Sequence, residues 1–205
     1  MVKLALTERR RLECDAYIFP EEYYDIPGVE EFSDLEVVKS YVRKKLEPYA
    51  AQSAAIYLNG GLSIELLSCL QIAAELDINI VVLHYDKNTN QYVPQEVTWK
   101  PVEAENCKEA DYLTLCAGRH PKVTEKYIFA EVTEDQVLDF TWQAQQAEQV
   151  LSRCKDKHVV IYLTGLTSLY ISVLNAAARL GIAITFLHYN YDTEEYFPQE
   201  MTVRV

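Results

Sequence analysis

At 205 residues the chain is long enough for one domain or two small ones, and its formal net charge of -12 excludes a protein that tracks DNA or RNA through a basic surface. Hydrophobic residues make up 49%, enough for a sizeable core. Five cysteines without CxxC spacing, an N-terminus without a signal-peptide core and no apolar run of about 18 residues imply a soluble cytoplasmic protein with reduced thiols and no membrane span.

Lys3 to Thr7 alternates apolar and polar residues and Cys14 to Phe19 is a second short apolar run, so the chain opens with two strands joined through Arg9 to Arg11. Pro20 ends the second, and an acidic, aromatic loop follows from Glu21 to Gly28. Ser33 or Asp34 can cap a helix carrying Leu35, Val38, Tyr41, Val42 and Leu46 at helical spacing, which Pro48 helps to end. Ala54 to Leu58 is a short apolar strand stopped by Asn59-Gly60-Gly61, and Ser63 starts a helix apolar over most of its circumference. Asn79 to Tyr85 has the β-branched composition of a parallel-sheet strand. Asp86 to Asn90 is turn chemistry, from which Gln91 to Thr98 returns as a hairpin partner.

Residues 101–110 carry acidic side chains and no pattern and are expected to be a linker. Beyond them the same elements recur. Asp111 to Cys116 matches the first strand, Lys126 to Phe129 repeats Ala16 to Phe19, and Thr133 to Cys154 is the counterpart of the first helix, with Thr133 and Gln136 as a capping box. Leu62 aligns onto Leu166 and Glu96 onto Glu200 without a gap, through a shared Leu-His-Tyr and a shared Tyr-x-Pro-Gln-Glu. The chain is therefore a tandem duplication. Residues 1–100 and 111–205 are expected to be two small ββαβαββ Rossmann-like α/β units that imitate a two-fold dimer within one chain.

Three constellations recur at equivalent places. The strand-to-helix turns, Asn59-Gly60-Gly61-Leu62-Ser63 and Thr164-Gly165-Leu166-Thr167-Ser168, offer sharp glycine turns and the unpaired amides of a helix start, a combination that accepts a small anion without basic side chains. The same residues also simply turn the chain and cap a helix. Leu83-His84-Tyr85-Asp86 and Leu187-His188-Tyr189-Asn190 place an imidazole near the carboxyl end of the next strand, where it can act as acid, base or phosphate partner, or be a structural group bonded within the hairpin. In Tyr92-x-Pro94-Gln95-Glu96 and Tyr196-x-Pro198-Gln199-Glu200 the proline points to an edge strand whose tyrosine packs on the sheet; a tyrosine there can also stack a base. Arg9 to Arg11, Arg119 and His120 could add phosphate contacts.

The order strand, strand, helix, strand-Gly turn-helix, strand, Tyr-Asp hairpin resembles the small CRISPR-associated ring-nuclease family of the Csx type, a distant relative of CARF domains. The resemblance is carried by Asn59-Gly60-Gly61 and Thr164-Gly165 at the turn, and by Tyr85-Asp86-Lys87 and Tyr189-Asn190-Tyr191 at the hairpin. It implies a cyclic oligoadenylate ligand of type III CRISPR signalling, bound across a two-fold interface, and a ring nuclease that opens it by in-line attack of a 2′-hydroxyl, with manganese assisting in some relatives. On that view Asn59, Gly60, Gly61, Ser63, Thr164, Gly165, Thr167, Ser168 and Asn190 hold the ligand, while His84, His188 and Asp86 serve catalysis. The sequence departs from the family in having no hairpin arginine, Asn190 in place of an aspartate, and no basic residue in the glycine turn. These departures bear on catalysis more than on binding. They leave open a second expectation, a catalytically inactive adaptor that recognises a protein through the same duplicated fold.

Overall fold

The structure, a computed structural model, describes residues 1–8, 12–25, 34–100, 110–117, 124–154 and 158–201. The chain divides into two compact units, Met1–Val97 and Thr98–Val205. Arg9 to Arg11, Ser33, Arg119, His120 and all of the expected linker except Ala110 lie outside the described residues.

In the first unit β1 (Val2–Thr7), β2 (Ala16–Phe19), α1 (Leu35–Leu46), β3 (Ser53–Tyr57), α2 (Ser63–Glu75), β4 (Asn79–Asp86) and β5 (Gln91–Glu96) follow in sequence. Its sheet has the order β2-β1-β3-β4-β5, with β5 antiparallel to β4 and the other pairs parallel. The second unit has β6 (Ala110–Cys116), β7 (Tyr127–Phe129), α3 (Phe140–Leu151), β8 (His158–Tyr162), α4 (Thr167–Leu180), β9 (Ile184–Asn190) and β10 (Glu195–Glu200). Its sheet reads β7-β6-β8-β9-β10 with the same pattern of directions. The duplication read from sequence is thus present element for element.

Crossovers β2–α1–β3 and β3–α2–β4 step the same way across the sheet, so right-handed connections place both helices on one face. The strand pattern agrees. Leu4, Leu6, Ile18, Ile56 and Val82, which share that face, are at most 1% exposed, while Tyr57, Val81, Leu83 and Tyr92 on the opposite face are half-buried. In the second unit Leu113, Leu115, Ile161, Ile184 and Phe186 are the buried counterparts. Burial of each such side chain contributes about 1.5–3 kcal/mol, so this face dominates the stability of each unit.

The starts of α1 and α3 are set by aspartates. Asp34 Oδ1 accepts the amides of Glu36 and Val37, and Asp139 Oδ1 accepts that of Trp142. Here one expectation is corrected. The Thr133–Gln136 box does form, with Gln136 Oε1 accepting the Thr133 amide at 3.0 Å, but it opens only a 3-10 turn, Glu134–Gln136. The α-helix begins later, at Phe140: the side-chain amide of the buried Gln143 donates to the carbonyls of Gln136 and Val137, at 2.9 Å each, and the backbone amide that reaches Gln136 is that of Asp139, at 3.3 Å, one residue short of α-helical spacing.

The helix pairs are tied by ion pairs that have exchanged sign between copies. Arg43 of α1 meets Glu75 of α2, whereas at the equivalent positions Glu148 of α3 meets Arg179 of α4. Both pairs are partly exposed, which limits each to about 1 kcal/mol or less. Reversing Arg43→Glu alone is expected to lower stability by about 0.5–1 kcal/mol through like-charge contact, and adding Glu75→Arg should restore it. Denaturant midpoints of the two single variants and the double variant check this.

Candidate functional site

The carboxyl ends of β1, β3 and β4 form the edge at which an open α/β sheet receives ligands. At that edge the side chain of Asn59 clamps the end of the neighbouring strand. Its Oδ1 accepts the Thr7 amide at 3.1 Å and its Nδ2 donates to the Thr7 carbonyl at 2.5 Å. Thr164 does the same in the second unit with a smaller group, its Oγ1 accepting the Cys116 amide at 3.0 Å and donating to the Cys116 carbonyl at 2.5 Å. Both residues are buried. Their function in the fold is to satisfy strand-end backbone groups and to fix where the turn leaves the sheet.

The turn itself is exposed at Gly60, Gly61 and Gly165, with Ser63 and Thr167 half-buried beside it. Gly61 has φ +93, and a Cβ there would lie 2.7 Å from Glu65 Oε2 and 2.8 Å from Leu6 Cδ2. Gly165 has φ +119, and a methyl added to it would lie 3.3 Å from Cys116 Cβ. Glycine is therefore required in both places by conformation, and at Gly61 by space as well. Ser168 is turned inward, donating to the Val137 carbonyl at 2.9 Å, so its hydroxyl belongs to the packing around Gln143.

One residue of the edge was not legible as part of it. Glu65 is 0% exposed, and its carboxylate accepts the Leu62 amide at 2.7 Å through one oxygen and the Tyr24 hydroxyl at 3.0 Å through the other. It completes half of a capping box, but the N-cap is Leu62, so the Ser/Thr-x-x-Glu signature is absent from the sequence. The equivalent residue of α4 is Leu169, and no side chain caps Leu166.

His84 and His188 lie on the helix-covered face, 7% and 4% exposed. Each Nε2 faces the amide oxygen of a hairpin glutamine, Gln95 at 2.7 Å and Gln199 at 2.9 Å. Burial lowers both imidazoles to about 4, the glutamine bond only partly opposing it. They are neutral near pH 7, and their geometry is that of the hairpin-bonded alternative. Asp86 folds onto its own turn, accepting the Asn88 amide at 2.9 Å and the Thr89 hydroxyl at 2.7 Å, which holds its carboxyl below the usual range. Asn190 plays the same part, accepting the amide of Asp192 at 2.9 Å. Among the described residues no group of three His, Cys, Asp or Glu side chains converges as a metal site.

A tyrosine cluster recurs on the open face at the same edge. Tyr92 packs against Tyr57, with centroids 4.8 Å apart, and against Tyr85 at 5.4 Å. Tyr196 packs against Tyr162 at 4.9 Å and Tyr189 at 5.1 Å with matching ring angles. Tyr92 and Tyr85, with their counterparts Tyr196 and Tyr189, stood out in the sequence as members of the repeated motifs; Tyr57 and Tyr162 carried a signal only in their recurrence.

Two outcomes follow. Gly61→Ala should destabilise by about 2 kcal/mol or more, while Gly181→Ala, at φ +67 with nothing within 4 Å of the added methyl, should cost only about 1 kcal/mol, read from denaturation midpoints. Because the histidines bind a proton less readily when folded, the unfolded state takes up more protons between about pH 6.5 and 4. Their stabilising contribution is full above pH 6.5 and is lost as pH falls toward 4, by roughly 3 kcal/mol per histidine. His84→Gln with His188→Gln should flatten that part of the melting temperature against pH.

No family model matches the chain, and no curated protein matches it. Solved structures do. Over 98% of this chain and 49% of the other, it superposes on the Moraxella osloensis Cap4 SAVED/CARF-domain containing receptor with TM-score 0.53 and 11% identity. The corresponding Acinetobacter baumannii receptor with the cyclic trinucleotide 2'3'3'-cAAA is matched over 99% and 52%, with TM-score 0.49 and 9% identity. The chain thus spans about half the length of these receptors, and the likeness to the first shows a shared fold.

Proposed function

We propose that the protein binds a small cyclic oligonucleotide, a cyclic oligoadenylate, at the carboxyl-end edges of its two sheets. The observation that carries this reading is the recurrence of an exposed, positive-φ glycine turn directly before a long helix, held in register by a side-chain clamp in each unit. Such a turn lets a phosphate approach backbone amides closely, which suits a chain with a formal net charge of -12. The fold shared with a SAVED/CARF-domain receptor supports the same reading.

Within it, Gly60, Gly61, Ser63, Gly165 and Thr167 face the ligand, and Asn59, Thr164 and Ser168 position the turns. Opening of the ring is not part of the reading, because His84 and His188 are buried, neutral and bonded to glutamine, and Asp86 is engaged in its own turn. The exposed rings of Tyr85, Tyr112 and Tyr191 favour a second reading, a docking surface for a protein.

Melting temperature measured against cyclic and linear oligoadenylates separates the two. Cyclic ligand at about 100 times its Kd should stabilise by roughly 2.7 kcal/mol and leave the ring intact on chromatography. No shift with any ring leaves the protein-docking reading; ring loss that His84→Ala with His188→Ala abolishes would restore catalysis.

A further inference from the structure

The two turns differ in charge at one place. In the first unit the buried carboxylate of Glu65 sits on the Leu62 amide at 2.7 Å, and Tyr24 holds its second oxygen at 3.0 Å, so the group cannot swing away without losing a bond. It also lies directly beneath the exposed glycine, since a methyl at Gly61 would meet Glu65 Oε2 at 2.7 Å. In the second unit the same helical position is Leu169, the nearest side chain to Gly165 after Cys116, and it brings no charge.

An anion at a helix start is stabilised by the same amides and dipole whether it comes from the protein or from a ligand, and two anions cannot share them without repulsion. We propose that Glu65 is a built-in anion that occupies the first unit's turn and excludes a ligand phosphate from it, which makes Glu65 a specificity-determining residue. The proposal rests on the binding reading above. It follows that the duplicated turns are unequal toward a phosphate: the first is already occupied by a carboxylate, and the second is open. Glu65→Gln keeps the size and the acceptor for Leu62 while removing the charge, Glu65→Leu installs the residue of the other copy, and Leu169→Glu transfers the charge.

The test is calorimetric titration of cyclic tri-adenylate into the full chain and these three variants. Glu65→Gln and Glu65→Leu should each bind about fivefold tighter than the natural chain, and Leu169→Glu about tenfold weaker. If the natural chain binds and the Glu65 variants bind no tighter, Glu65 does not exclude the phosphate and the binding reading alone survives. If no protein binds the ring, the binding reading falls, and inorganic phosphate then decides the role of Glu65. A phosphate-dependent rise in melting temperature gained by Glu65→Leu supports it, and a response equal to that of the natural chain overturns it.

Discussion

The contact on which the rest of each unit depends is the side-chain clamp between the strand-to-helix turn and the end of the first strand. Asn59 in one copy and Thr164 in the other satisfy both backbone groups of a residue, Thr7 or Cys116, at the point where the sheet ends. A buried strand end without such partners would leave a donor and an acceptor unpaired, at a cost of about 1–3 kcal/mol for each group. An amide and a hydroxyl solve this with different atoms. That the same contact is kept while the residue changes indicates that the position of the turn, more than the identity of the side chain, is what both copies retain.

From the clamp the exposed edge follows. With the turn fixed close to the strand end, only glycine fits at Gly61, and the helix that begins two residues later directs its first amides to the edge. The hairpin beyond β4 and β9 is fixed separately, by the His–Gln pairs beneath the sheet and by the Asx turns of Asp86 and Asn190 at the tip. The two faces of the sheet then have different tasks. One is sealed by helices and carries the core; the other is open and carries the tyrosines.

Much of this was legible in the sequence, and the reasons are local. Strand and helix types were set by short apolar runs and by helical spacing, and the gap-free match from Leu62 to Glu96 with Leu166 to Glu200 made the duplication unmistakable. The glycine turns were found because glycine before a helix has a steric cause. What sequence spacing does not encode is the direction in which a side chain points across elements. Asn59, Thr164 and Ser168 were read as facing a ligand, but their hydrogen bonds go inward to partners 31 to 52 residues distant. The start of α3 was misplaced for a similar reason, since Gln143 reaches back to two carbonyls ahead of it. Glu65 was passed over as one polar residue in an apolar helix, although buried acid beside a glycine turn is the sharpest chemical difference between the copies.

Amide hydrogen exchange of the natural chain with and without cyclic tri-adenylate tests the central claim most directly. The account predicts slowed exchange at the turn residues Gly165 to Ser168 on ligand addition, with the core strands unchanged. Binding accompanied by slowed exchange elsewhere, with both glycine turns unaffected, would contradict it.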